Sequence, residues 1–332
     1  MNSFPKVRLR RLRRTPSLRR MLDLPVPGPE KFLWPVFVTE GRRVRTPIDA
    51  MPGQSRLSVD ALLHDLRAVA ESGIGGVLIF GLPRENEKHA SGRAAWAPEG
   101  VVPRAIQAIR KEYPDLVVFT DVCLCAYTDH GHCGPVNARG EVVNDAAIAA
   151  LAKVAVCHAE TGADGVAPSA MMDGQVAAIR DALDKARQTD TLIMSYSTKF
   201  ASALYGPFRE AERSAPLQGD RRGYQASYGN LGAALRESAL DEQEGADILM
   251  VKPSLLYLDV IARLRERTDL PIAAYNVSGE YSMLIAAADR GWGDLNGMVR
   301  ESMTALVRSG TDIVISYWAN RYTEIFGGDR LS

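Results

Sequence analysis

No apolar run in these 332 residues reaches the roughly 20 that a membrane-spanning helix needs, so no membrane partner is expected and the chain is expected in the cytoplasm. Cysteine is scarce, with four in all, which excludes a disulfide-dense secreted scaffold. Net charge is missing too: 40 Lys and Arg balance 40 Asp and Glu, which removes any global electrostatic argument for nucleic acid or an acidic surface as partner. Neither a G-x-G-x-x-G nor a G-x-x-x-x-G-K-[ST] loop follows an expected strand, and this weakens nucleotide-binding readings. Acidic residues are absent before Asp23, whereas Lys6, Arg8, Arg10, Arg11, Arg13, Arg14, Arg19 and Arg20 crowd that stretch. With no apolar h-region beside them, a secretory signal is not expected. A transit peptide, a nucleic-acid arm and an arm docking on a neighbouring subunit all remain open from composition.

What is present is a rhythm. Short apolar, β-branched runs at 33–38, 76–81, 117–122, 165–169, 192–197, 248–252, 272–277 and 313–317 read as eight strands. Helical periodicity fills 59–71, 146–160, 175–186, 231–243, 257–267 and 295–308. Alternating β and α with nearly continuous apolar strands points to a parallel sheet. A weak repeat supports this: Ser72-Gly73-Ile74-Gly75, Thr161-Gly162-Ala163-Asp164, Glu244-Gly245-Ala246-Asp247 and Ser309-Gly310-Thr311-Asp312 each precede a strand. A glycine able to adopt the left-handed conformation ends each helix. Eight such units would close a (β/α)8 barrel, with an open doubly wound sheet as the alternative.

In such a barrel the chemistry lies at the C-terminal strand ends, and these carry reactive groups. Lys252 follows Ile248-Leu249-Met250-Val251; an amine ending an apolar strand is desolvated, its pKa falls, and a neutral lysine attacks carbonyls to form a Schiff base. Lys199, on the preceding strand's exit, would be its neighbour and would depress it further. Asp121, Ser169, Ser278 and Tyr317 also sit at strand ends. Cys123, Cys125 and Cys133 can converge if the intervening glycine-containing loop folds back. Three thiolates suit zinc and leave a coordination position open, whereas His132 as a fourth ligand would close the site. Cys157, in a helical pattern, reads as a plain core cysteine. The connection from Lys199 to about residue 230 shows no obvious secondary structure and reads as a lid. Its Tyr205 and Phe208 supply apolar cover, and Arg209 and Arg221 match a substrate carboxylate.

These residues lie in phrases that closely resemble the porphobilinogen synthase (5-aminolevulinate dehydratase) family. The phrases are Thr120-Asp121-Val122-Cys123-Leu124-Cys125, His130-Gly131-His132-Cys133-Gly134, Ala167-Pro168-Ser169, Met194-Ser195-Tyr196-Ser197-Thr198-Lys199-Phe200, Tyr205-Gly206-Pro207-Phe208-Arg209, Met250-Val251-Lys252-Pro253 and Val277-Ser278-Gly279-Glu280-Tyr281. The resemblance runs from about residue 8 nearly to the C-terminus. It implies a (β/α)8 TIM barrel over residues 32–332 and a basic arm over residues 1–31 that wraps a neighbouring subunit of a homo-octamer, which sets aside the transit and nucleic-acid readings. It also implies condensation of two 5-aminolevulinates into porphobilinogen, with loss of two waters, in tetrapyrrole synthesis. Lys252 would form the Schiff base with the first substrate, and Lys199 would belong to the second substrate's site. Asp121 and Ser169 would orient groups and move protons. Ser278 and Tyr317 would hold the first carboxylate, and Arg209 and Arg221 the second, with Tyr205, Phe208 and Gln225 also lining the substrate. Cys123, Cys125 and Cys133 would hold a catalytic Zn2+, which would polarise the second carbonyl or supply a base.

Glu237 stands where magnesium-stimulated members carry a glutamate, implying an allosteric Mg2+ site. The stretch Gln225-Ala226-Ser227-Tyr228-Gly229-Asn230-Leu231 departs from the commoner, arginine-containing family version. Two other functions compete. A class I aldolase would use Lys252 but needs no three-cysteine site. A zinc-stabilised binding protein would leave Lys252 unmodified and would bind nucleic acid with a steep salt dependence.

Overall fold

The computed structural model describes residues 3–24, 26–217 and 219–327. Eight parallel strands form the barrel: β1 (Phe32–Thr39), β2 (Gly76–Leu82), β3 (Val117–Val122), β4 (Gly165–Pro168), β5 (Leu192–Lys199), β6 (Ile248–Lys252), β7 (Ile272–Asn276) and β8 (Ile313–Ser316). Each pairs with the next in sequence, and β8 closes onto β1 through Phe32–Val314 and Leu33–Ile315. Closure settles the choice between barrel and open sheet. The strands are apolar on both faces because one face fills the barrel interior and the other meets the helices.

The repeated helix-to-strand phrase has a shared physical role. Gly73, Gly162, Gly245 and Gly310 all have positive φ, from +81 to +110°, where a side chain would be strained. In three of the four phrases the following aspartate then staples neighbouring strands. One carboxylate oxygen of Asp164 accepts from Val118 N at 2.7 Å, one of Asp247 from Ile193 N at 2.7 Å, and one of Asp312 from Ile272 N at 2.9 Å. Arg110, Arg180 and Arg265 pair with these three carboxylates in turn. The barrel floor is thus locked by charge-assisted bonds, while the opposite rim is left to chemistry.

The expected helices are present with small shifts at their ends, and 231–243 coincides with Leu231–Gln243. Two further helices, Val101–Glu112 and Ser278–Asp289, complete the outer ring. Two short strands, Arg45–Pro47 and Ser55–Leu57, form an antiparallel pair beside the end of β1. The expected structureless lid contains a helix, Gly206–Glu212. In the N-terminal segment, a 3-10 helix (Leu9–Arg13) precedes a short α-helix (Pro16–Leu22) capped by Thr15, and neither buries a residue.

Candidate active site

β5 and β6 deliver two lysines to the rim, and both are buried. The Lys252 amine lies 4.1 Å from the centre of the Tyr275 ring, 4.7 Å from Phe208, 5.0 Å from Tyr196 and 5.5 Å from Tyr205. This aromatic box is the desolvation expected of an amine ending an apolar strand. Burial, and then the Lys199 charge, lower the Lys252 pKa to about 7. Lys199 donates to the Ser169 carbonyl at 2.6 Å. Asp121 faces the same space: burial and then the nearby Glu212 raise its carboxyl to about 7, partly offset by Lys199, the Ser169 hydroxyl and Lys252. As a whole residue Asp121 keeps some exposure, but its Oδ1 is shielded and has no hydrogen-bond partner.

The loop after β3 folds back as the metal reading requires. The Cys123, Cys125 and Cys133 sulfurs lie within 4.8 Å of one another, and all three residues are buried. The Cys133 thiol is held well below the ordinary range by hydrogen bonds from Cys123 and then Cys125. Three converging sulfurs fit a soft, tetrahedral ion such as zinc, and the donor set leaves one side open. His132 is not part of this set: its Nδ1 lies 3.2 Å from the Tyr224 hydroxyl. Cys157, expected in the core, is instead only partly buried on the helix Asn144–Thr161.

The lid helix brings the carboxylate-binding candidates in from above. The backbone N–H of Phe208 donates to Ser278 Oγ at 2.9 Å, tying the lid to the end of β7. Arg221 is buried and donates to the Gly131 and Ser214 carbonyls at 3.0 and 2.6 Å. Burial, and then Arg221, lower the Arg209 pKa, so two like charges sit close together. Nε of both arginines and both amide atoms of Gln225 are shielded and without partners. Such a set lacks an anion with further acceptor atoms, which a substrate carboxylate supplies. Tyr317 is fully buried, with its hydroxyl 3.1 Å from that of Tyr275.

Glu237, on Leu231–Gln243, lines a separate cavity of about 710 Å³ with Asp173, Asp220 and Gln225. Burial, then Asp173 and Glu244, raise its pKa. This cavity is larger than the lysine cavity, but it has no nucleophile; chemistry rather than size marks the reactive centre.

Several functional residues escaped the sequence reading. Tyr196 and Tyr275 wall the lysines but look like ordinary strand aromatics in the sequence. Glu280 accepts from Ser254 N, Leu255 N and Val277 N at 3.0, 2.6 and 2.7 Å, clamping the loop that follows Lys252. Glu212 ends the lid helix against the cysteines, and its signal, an acid in a basic lid, is weak.

A family model described as Delta-aminolevulinic acid dehydratase matches residues 6–325. The chain is 52% identical over 318 residues to the Delta-aminolevulinic acid dehydratase of Methanothermobacter thermautotrophicus, covering 95% of this chain and 96% of that protein. It is 47% identical over 320 residues to that of Mycobacterium tuberculosis H37Rv, covering 96% of this chain and 97% of the relative. Its structure is similar to the crystal structure of delta-aminolevulinic acid dehydratase (porphobilinogen synthase) from Toxoplasma gondii in complex with the reaction product porphobilinogen. The TM-score is 0.95 at 41% identity, covering 97% of this chain and 92% of that one. Matched by the family model over residues 6–325 and by these relatives along nearly its whole length, the chain belongs to the delta-aminolevulinic acid dehydratase family.

Proposed function

We propose that this site condenses two molecules of 5-aminolevulinate into porphobilinogen with release of two waters. The observation that carries this reading is the pair of buried lysines, one with its pKa near neutrality, beneath a lid that bears two arginines with unpartnered nitrogens. The Lys252 amine attacks the ketone of the first substrate; loss of water leaves an imine. Asp121, with a carboxyl near neutrality, and the Ser169 hydroxyl serve to take up and return protons beside that carbon. Lys199 and the Arg209–Arg221 pair orient the second substrate by its polar groups and its carboxylate. Ser278 and Tyr317 hold the carboxylate of the first. Tyr205 and Phe208 exclude water from the imine, which would otherwise hydrolyse.

Cys123, Cys125 and Cys133 hold a zinc ion in this reading, and the ion supplies Lewis acidity at the second substrate's end of the cavity. Glu237, in an acidic setting, supports an allosteric Mg2+ site. The exposed apolar side chains Leu9, Leu12, Met21 and Leu22 on the basic arm support its docking on a neighbouring subunit, as in an octamer of arm-exchanged dimers, and a cytoplasmic setting accords with reduced thiols. A colorimetric pyrrole assay with 5-aminolevulinate, with and without zinc, tests the function. Pyrrole formation that depends on zinc supports it; no pyrrole in either condition overturns it.

A further inference from the structure

We infer that Glu280 is a positioning residue for the first substrate: its buried carboxylate fixes the ends of β6 and β7 against each other, and so sets the Lys252 amine at the working distance from the carboxylate anchors Ser278 and Tyr317. The inference rests on the roles proposed above for those three residues.

Glu280 stands in the first turn of the helix Ser278–Asp289. Its Oε2 accepts from Val277 N at 2.7 Å, as a glutamate at that place in a helix commonly does. Helix capping explains that bond and no other. Oε1 is spent wholly on the loop after β6, accepting from Ser254 N at 3.0 Å and from Leu255 N at 2.6 Å. Oε2 also accepts from Ser254 Oγ at 3.1 Å and from Asn276 Nδ2 at 3.3 Å. The residue is only 1% exposed. Burial raises its carboxyl to about 6, held from rising further by the Val277, Leu255 and Ser254 donors, so it is ionised at neutral pH.

The network continues to β8. Asn276 Oδ1 accepts from Ser316 Oγ at 3.1 Å, and the two residues are register partners on β7 and β8. Lys252 lies just before Pro253-Ser254, Ser278 follows Val277, and Tyr317 follows Ser316. Each of the three residues given to the first substrate therefore adjoins a group that Glu280 holds, directly or through Asn276. An imine forms fast only when the ketone carbon meets the amine while the carboxylate is anchored, and a misplacement of about 1 Å costs about 100-fold. Every group that holds Glu280 is a donor. A glutamine would turn its own NH2 against these donors and could not reproduce the arrangement.

The test traps imines on the full-length protein with cyanoborohydride, which adds hydride to the imine carbon, spares free ketones and leaves a stable secondary amine. Mass spectrometry reads the label on the Lys252 peptide over time. Two probes are compared: 4-oxopentanoate, which is the substrate without its amine, and butanone, a ketone with no carboxylate. The wild type should label faster with the keto acid. Glu280→Gln should lower the limiting rate with 4-oxopentanoate by about 10- to 100-fold. Its butanone rate and its pH midpoint of labelling should stay at wild-type values, because an unanchored ketone turns to meet the amine wherever it lies. Ser254→Ala and Ser316→Ala each remove one hydroxyl from the network and should move the ratio of the two rates in the same direction by less. They carry the comparison if far-UV circular dichroism shows the glutamine variant unfolded. A wild-type ratio in Glu280→Gln, or in both serine variants where the glutamine variant is unfolded, overturns the inference. Equal loss with both probes is a general loosening of the rim and overturns it too. A wild type without preference for the keto acid overturns instead the anchoring roles of Ser278 and Tyr317.

Discussion

Lys199 and Lys252 are register partners on the adjacent parallel strands β5 and β6. Partners in register present their side chains on the same face of a sheet, so two amines separated by more than fifty residues of chain open into one cavity. This pairing makes the charge of one lysine a determinant of the chemistry of the other.

A covalent intermediate is the first consequence. Borohydride added with 5-aminolevulinate should inactivate the protein and add one reduced substrate mass to the Lys252 peptide. Lys252→Ala and Lys252→Arg should lose label and activity together, since a guanidinium stays protonated and cannot attack a ketone. Lys199→Ala should cripple turnover yet retain label at Lys252. Mass spectrometry placing the main label on Lys199 would reverse the assignment.

The rate of that trapping should depend on pH in a defined direction. Only the neutral amine attacks, so the rate should rise as pH passes through about 7, the Lys252 value, and level off above it. Removing the Lys199 charge relieves a like-charge repulsion, which raises the Lys252 pKa. The midpoint in Lys199→Ala should therefore move to higher pH. A midpoint that stays put would show that burial alone sets the value.

Metal removal should separate chemistry from folding. The eight-strand ladder closes without any of the three cysteines, so chelation or Cys125→Ala should abolish most activity while far-UV circular dichroism stays intact. Global unfolding on chelation would instead identify a structural site.

Arg209→Ala should lower kcat/KM for 5-aminolevulinate by about 10- to 150-fold, the equivalent of the roughly 1.5–3 kcal/mol of a hydrogen bond to a charged group. The loss should appear mostly in KM, because the carboxylate is distant from the bonds being made. An unchanged KM would remove Arg209 from carboxylate binding.

Glu237 lies away from the lysines, so its effect should be regulatory. Added magnesium should raise activity or the octamer fraction, and Glu237→Ala should remove that response without removing basal turnover. Analytical ultracentrifugation and rate measurements across a magnesium titration check both parts; identical responses in the two proteins would refute the assignment.

The sequence by itself determined the strands, the repeat and the buried lysine that ends β6. These are local properties: an apolar run sets a buried strand, a glycine sets the left-handed end of a helix, and a lysine closing an apolar run is desolvated wherever that run is buried. The three cysteines were legible for the same reason, since their short spacing leaves one loop to fold. Only the tertiary structure decided the rest. Tyr196 and Tyr275 become the walls of the amine's box because β5 and β7, on either side of β6, turn them to the same interior, which no spacing encodes. His132 lies close to Cys133 in sequence, yet its ring turns to Tyr224. Glu212 reaches Cys125 from 87 positions away because a short helix inside the lid turns inward at Arg213. Contacts between distant segments depend on how whole elements pack, and it is there that the lid, the three cysteines and the two lysines come together.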